Sequence, residues 1–144
     1  VYPLHYEKNA RKGQEMIDFD AITRKHEELR RRNRAADTMR EKATDISVHL
    51  TGMPHGGSGG NSQERVRIEM IAAQEAAKET EKELDEMNRQ LRPELKRLKK
   101  WQYIDVIRKR YMEGKPVAQV AEEIGYEIRQ TNRYISEARA IING

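Results

Sequence analysis

The stretch IRKRYMEGKPVAQVAEEIGYEIRQTNRYISEARAII, residues 107–142, carries two short helical patterns around one tight turn. Before the turn, Val117, Val120, Ala121 and Ile124 recur at three- and four-residue steps, which is one face of a helix. After it, Ile128, Thr131, Ile135, Ala138 and Ile142 repeat the pattern. The turn is Gly125-Tyr126. A glycine there predicts a left-handed backbone, which is least costly without a side-chain carbon. Ala121 is small enough for the two helices to approach closely, and the Glu127 carboxylate suits the positive end of the second helix. Two short helices around a three- to four-residue turn containing glycine form a helix-turn-helix, whose second helix usually lies in the major groove of DNA.

Placed about 100° apart on a helical wheel, Thr131, Ile135, Ala138 and Ile142 face inward. Arg129, Arg133 and Ser136 face away, with Gln130 and Asn132 on the flanks. Arginine pairs with guanine edges and asparagine or glutamine with adenine edges, so these five residues are the expected base readers. The same pattern also fits a solvated polar face on an ordinary helical hairpin. Lys99, Lys100, Arg110 and Lys115 are the expected phosphate contacts. Lys96, Arg97, Lys99 and Lys100 form a basic cluster beside Trp101, suited either to clamping a phosphate backbone or to a surface turn.

The residues Arg110-Tyr111, Gly114, Val120-Ala121, Ile124-Gly125-Tyr126, Arg129-Gln130, Arg133 and Ala138 resemble the small phage-encoded ArpU/RinA-like transcription regulators of Gram-positive hosts. The C-terminal part of that group is similar to region 4 of sigma-70-type factors. Met53-Pro54-His55-Gly56 also resembles the group's central loop. The C-terminal likeness covers roughly a quarter of the chain. It departs from the group at Glu127, where serine is usual, at Thr131, where an apolar residue is usual, and near Arg139, where leucine is usual. The resemblance implies double-stranded DNA binding at a phage promoter, control of late genes in the host bacterial cytoplasm, and contact with host RNA polymerase.

The whole chain has 144 residues, of which 36% are charged and 36% apolar, with one Trp and one Phe. That suits long amphipathic helices with narrow buried stripes better than a thick globular core. Cysteine is absent, which excludes disulfides and thiolate metal sites and is consistent with a reducing cytoplasm. The opening residues 1–6 are too short and polar for a signal peptide, and no run approaches membrane-spanning length. The net charge is +4. Residues 1–61 carry 11 basic and 9 acidic groups, 62–98 carry 8 and 9, and 99–144 carry 9 and 6. The positive excess is therefore densest in the segment suspected of touching DNA.

Residues 1–13 read as an irregular lead. Residues 14–50 read as one long helix, with Ile22, Leu29, Ala36, Ala43 and Leu50 spaced by seven and Met39 and Ile46 in a second register, a partner-facing seam weakened where Lys25 and Arg32 fall. The Arg30-Arg31-Arg32 run with Arg34 suits either phosphate contact or, more commonly for such runs, a solvated face with buried aliphatic stems. Residues 51–61, TGMPHGGSGGN, read as a glycine-rich loop, without the Gly-Lys-Ser/Thr that a phosphate-binding loop needs. A second long helix is expected over 62–92, capped by Asn61 or Ser62, with Met70, Ala77, Leu84, Leu91 and Leu98 in one register and Val66, Ala73, Thr80 and Met87 in the other. Pro93 marks a break or opens a new helix, and a support helix continues to Glu113, ended by Gly114.

The expectation is an all-α chain: a long antiparallel helical hairpin over 14–92 and a sigma-region-4-like helix-turn-helix over 94–144. The hairpin would mediate oligomerisation or dock a partner protein. His5, His26, His49 and His55 lack metal-binding spacing and are expected on the surface. No nucleophile or acid–base constellation stands out, so neither an enzyme nor a cofactor nor a metal is expected. Two other functions fit the pattern. A phage small terminase subunit also joins a helix-turn-helix to oligomerising helices, and a helical module could act on RNA polymerase or a repressor through protein contacts alone.

Overall fold

The computed structural model describes the backbone of residues 16–52 and 58–144, and the side chains of 16–45 and 62–144. It has the all-α architecture expected, with no strand among the described residues. Two long helices, α1 (Phe19–Gly52) and α2 (Ser58–Leu91), are followed by a 3-10 segment (Arg92–Arg97). Three shorter helices then follow: α3 (Trp101–Ile107), α4 (Val117–Ile124) and α5 (Ile128–Asn143). Among the described residues no helix is long and apolar enough to cross a membrane. The expected lead over 1–13 lies outside the described residues.

The chain divides into two compact units, one of Val1–Thr23 with Asp85–Gly144 and one of Arg24–Leu84. The division does not fall at Pro93. The start of α1 and the end of α2 belong with the C-terminal helices, because their largest apolar residues are buried there. Phe19 and Ile22 are buried, as are Leu91, Leu98, Val106, Ile107, Tyr111, Val120, Ile135 and Ile142. The Phe19 and Tyr111 rings meet at 4.8 Å, with the Arg139 guanidinium over both. The Asn143 side chain brackets Ile17: its Oδ1 accepts the Ile17 N–H at 2.8 Å, and its Nδ2 donates to the Ile17 carbonyl at 2.9 Å.

Helix boundaries differ from the sequence reading for identifiable reasons. Residues 16–18 are not helical, and α1 starts at Phe19 because the Asp18 carboxylate accepts the Ala21 N–H at 3.0 Å, an N-cap. At the other end α1 runs through Gly52, and α2 already begins at Ser58. Asn61 and Ser62 are therefore inside α2 and do not cap it. Gly59 and Gly60 sit in its first turn, where the backbone N–H groups have no intrahelical partner to lose. The expected loop narrows to residues 53–57, which lie outside the described residues.

The support helix is also not continuous. Pro93 takes the first turn of the 3-10 segment, and the chain is extended at Leu98 and Lys100 before α3 starts. After α3 the backbone widens into a π-helical turn (Arg108–Met112), in which the Glu113 N–H bonds the Arg108 carbonyl at 3.0 Å. Gly114 follows with φ 74° and ends it.

In the 24–84 unit the buried side chains among the described residues are His26, Ala36, Ala77, Thr80 and Leu84. Lys25 bridges Glu83 at 2.5 Å and Glu28 at 3.1 Å. With only five residues between α1 and α2, that link near their far ends requires the helices to fold back on one another. The charged seam position is thus compensated: hydrogen bonds donated to Glu83 and then Glu28 raise the Lys25 ammonium pKa above its ordinary value. Arg32 is exposed and pairs with Glu28 at 3.0 Å. His26 is buried, contrary to the surface position expected, because it lies four residues after Ile22 and three before Leu29 on the inward face. His5 and His55, and the His49 side chain, lie outside the described residues.

Candidate nucleic-acid interface

Helix α4 is short, eight residues, and Pro116 precedes it in an extended conformation that suits a helix start. Gly125 ends it at φ 80°, ψ 28°, the left-handed conformation its lack of a side chain permits. The N–H groups of Gly125 and Tyr126 both reach the Ala121 carbonyl, at 3.0 and 3.1 Å, closing the helix end as a C-cap. Glu127 is the N-cap residue of α5, but its side chain makes no cap bond. The Glu127 carbonyl instead accepts from the Thr131 N–H and hydroxyl, both at 2.9 Å. That back-bond explains how a hydroxyl occupies an inward position at 0% exposure.

The inward face of α5 is Thr131, Ile135, Ala138 and Ile142, all buried. Arg129, Asn132, Arg133 and Ser136 are exposed, and Gln130 is half-buried. The five residues expected to read bases therefore lie off the buried stripe of one 16-residue helix. Arg97 closes the helix's far end by donating to the Ile142 carbonyl at 2.7 Å, where a cation suits the negative helix terminus.

One of these residues is engaged. The Arg133 guanidinium pairs with Glu137 at 3.1 Å, and its side chain remains 71% exposed. Such an exposed pair contributes little, so Arg133 can exchange it for another acceptor. Glu137 also accepts the Tyr103 hydroxyl at 2.5 Å. That bond, followed by Arg133, holds the Glu137 carboxyl below its ordinary pKa, and it raises the Tyr103 phenol. Lys100 stands 5.5 Å above the Tyr103 ring and is among the charges acting on Glu137. Lys100 and Arg133 thus both act on the Glu137 carboxylate, and Lys99 beside Lys100 is exposed.

The other two expected phosphate residues belong to a different cluster. Lys115 pairs with Glu123 at 2.7 Å and Glu113 at 2.9 Å, and Lys109 pairs with Glu123 at 2.8 Å. Hydrogen bonds from Lys109 and Lys115 lower the Glu123 pKa from 4.5 to about 2, and the same network raises Lys115. Arg110 donates to the Lys115 carbonyl at 3.0 Å, fixing the entry to α4. Both cations are tied into the scaffold.

Two features escaped the sequence reading. Ile128, placed on the inward pattern, is 52% exposed. It stands in the first turn of α5, ahead of the buried stripe that starts at Thr131. An aromatic cluster also joins α3 to α5: Tyr126 meets Tyr134 edge-on at 5.2 Å, Tyr103 meets Tyr134 at 5.9 Å, and Trp101 lies 6.2 Å from Tyr126. Gln102 donates to the Tyr126 hydroxyl at 3.2 Å. Trp101 itself is 51% exposed. These rings are far apart in sequence, and only the fold of α3 against α5 brings them together.

Among the described residues no group of three or more His, Asp or Glu could hold a metal ion. Comparison with protein-family models, with curated proteins and with solved structures returned no match.

Proposed function

We propose that this chain is a sequence-specific double-stranded DNA-binding transcription regulator, of the ArpU/RinA-like phage kind, acting on late genes in the host cytoplasm. Helix α5 enters the major groove. Arg129, Gln130, Asn132, Arg133 and Ser136 read base edges, and Lys99 and Lys100 hold the phosphate backbone, while Lys115 and Arg110 serve mainly to fix the turn before α4. The observation that carries this reading is the two-sided character of α5. Its inward residues are almost wholly buried, while Arg129, Asn132, Arg133 and Ser136 are all exposed. A helix held firmly along one side, with arginine and carboxamide groups on the other, suits base readout by paired hydrogen bonds.

The test is selection of bound fragments from a phage genomic pool by the purified full chain at two salt concentrations. Enrichment of one region upstream of late genes that survives the higher salt supports the proposal. Uniform binding that vanishes with salt reflects phosphate contact alone and contradicts it, and enrichment of a packaging region moves the assignment to a small terminase subunit.

A second reading, a helical module that acts through a protein partner such as RNA polymerase or through self-association, draws on α2. Ile68 and Ile71 are 60% and 46% exposed there, one turn apart on the helix surface. Absence of DNA binding even at low salt, where charge attraction is strongest, would favour it.

A further inference from the structure

We infer that Ile128 selects a thymine by packing on its 5-methyl group; this rests on the DNA-binding reading above. Ile128 is the first residue of α5 and is half in water, although the same helix buries every apolar residue of its inward stripe. Polar residues of the same helix lie beside it. Asn132 lies four residues on, which places the two side chains side by side on one flank of the helix, and both are exposed. Arg129 and Arg133 lie further round the same outward surface. The face is therefore graded, aliphatic and carboxamide on one flank and guanidinium towards its centre.

That pairing matches one base pair in particular. On the major-groove edge of A·T, adenine offers N7 and its N6 amino group, which a carboxamide pairs with in bidentate fashion. Thymine offers a methyl group, against which an aliphatic side chain packs. Neither guanine nor cytosine carries a methyl there. The first residues of a recognition helix are the ones that reach base edges, so an Ile at the first position is within reach when Asn132 is. Burying its exposed surface against a methyl group removes both from water, a favourable change that a polar residue at 128 would not give.

The experiment uses the full chain and a fragment recovered by selection. Each thymine in the bound region is replaced in turn by deoxyuridine, which deletes only the methyl. The expected result is one thymine whose replacement weakens binding about fourfold, the factor that burial of one methyl-sized group gives. In Ile128→Ala that thymine becomes indifferent to replacement, and in Ile128→Val the sensitivity is retained. Far-UV circular dichroism of both variants should match that of the parent, since residue 128 lies outside the core. Equal sensitivity to deoxyuridine in the parent and in Ile128→Ala overturns the inference, as does a parent indifferent at every thymine. If Arg133→Ala still relaxes sequence preference in that case, only the methyl contact is lost and the DNA reading stands. If the parent shows no sequence preference, both fall. Unchanged DNA affinity in Ile128→Ala with loss of binding to purified RNA polymerase would assign Ile128 to a protein contact and also overturn it.

Discussion

In the unit that contains α3, α4 and α5, the buried set includes many large side chains, among them Phe19, Leu91, Ile107, Tyr111, Ile135 and Ile142. In the 24–84 unit it is, among the described residues, Ala36, Ala77, Thr80, His26 and Leu84. Buried apolar area sets the hydrophobic contribution, so the first unit concentrates its stability in a few residues, while the second spreads it along two long helices. Large interlocking side chains also fix the relative positions of short helices. A base-reading face of the kind proposed for α5 needs this kind of support, because base readout depends on placement within fractions of an ångström. Small residues along a seam let two helices approach closely but leave their exposed sides to charged groups.

The sharpest way to break the contrast is truncation of a fully buried side chain. Ile107, at 0% exposure, replaced by Ala should cost about 3 kcal/mol. Ala36→Gly in the hairpin should cost about 1 kcal/mol, mostly as lost helix propensity. Denaturant unfolding followed by Trp101, the one tryptophan, and by far-UV circular dichroism would measure both. Similar losses at the two sites would remove the distinction.

Next in size is the turn. Gly125→Ala should cost about 1–2 kcal/mol because an L side chain disfavours the left-handed backbone. No atom lies within 4 Å of an added carbon, so the cost is conformational rather than steric. Gly125→Asn should cost less, since asparagine visits that conformation more readily. Equal losses for the two variants would mean that something other than backbone preference is at work.

A smaller effect is expected at the seam charge. Lys25→Met should change stability by no more than about 1 kcal/mol. Glu83, its partner, is about half exposed and can be solvated, and an aliphatic side chain at that position improves the seam. A loss of several kcal/mol on thermal unfolding would show that the ion pair holds the hairpin together.

The smallest is a titration. Glu123, lowered to about 2 by Lys109 and then Lys115, has a folded pKa below its unfolded value. Its contribution is therefore present above about pH 4.5 and is lost as the pH falls towards 2. Carboxyl NMR should give a midpoint near 2, moving up towards 4.5 in Lys109→Met. An ordinary midpoint in the parent would show that the cluster does not form.

Much of this contrast was legible beforehand, because helical periodicity reports burial directly. Thr131, Ile135, Ala138 and Ile142 fell on one stripe of the wheel, as did Ala77, Leu84 and Leu91, and a glycine between two such patterns identified the turn. Three things were not legible. Ile128 belongs to the apolar pattern by spacing, but its first-turn position leaves it 52% exposed, and spacing carries no information about where a neighbouring helix stops. His26 was assigned by residue type rather than by its place between Ile22 and Leu29. The capture of Lys115 and Arg110 by Glu113, Glu123 and the backbone depends on how α4 meets the π-helical turn, and a list of basic residues cannot separate captured cations from available ones.

The central claim is that the outward face of α5 reads bases, and Arg133 tests it most directly. Affinities of the parent, Arg133→Ala and Lys100→Ala would be measured by fluorescence anisotropy for a selected fragment and for the same fragment with its sequence shuffled. The account predicts that Arg133→Ala loses about 1–3 kcal/mol of preference between the two fragments, while Lys100→Ala weakens both equally and lowers the salt dependence. Equal weakening of both fragments by Arg133→Ala, or no effect on either, would contradict it.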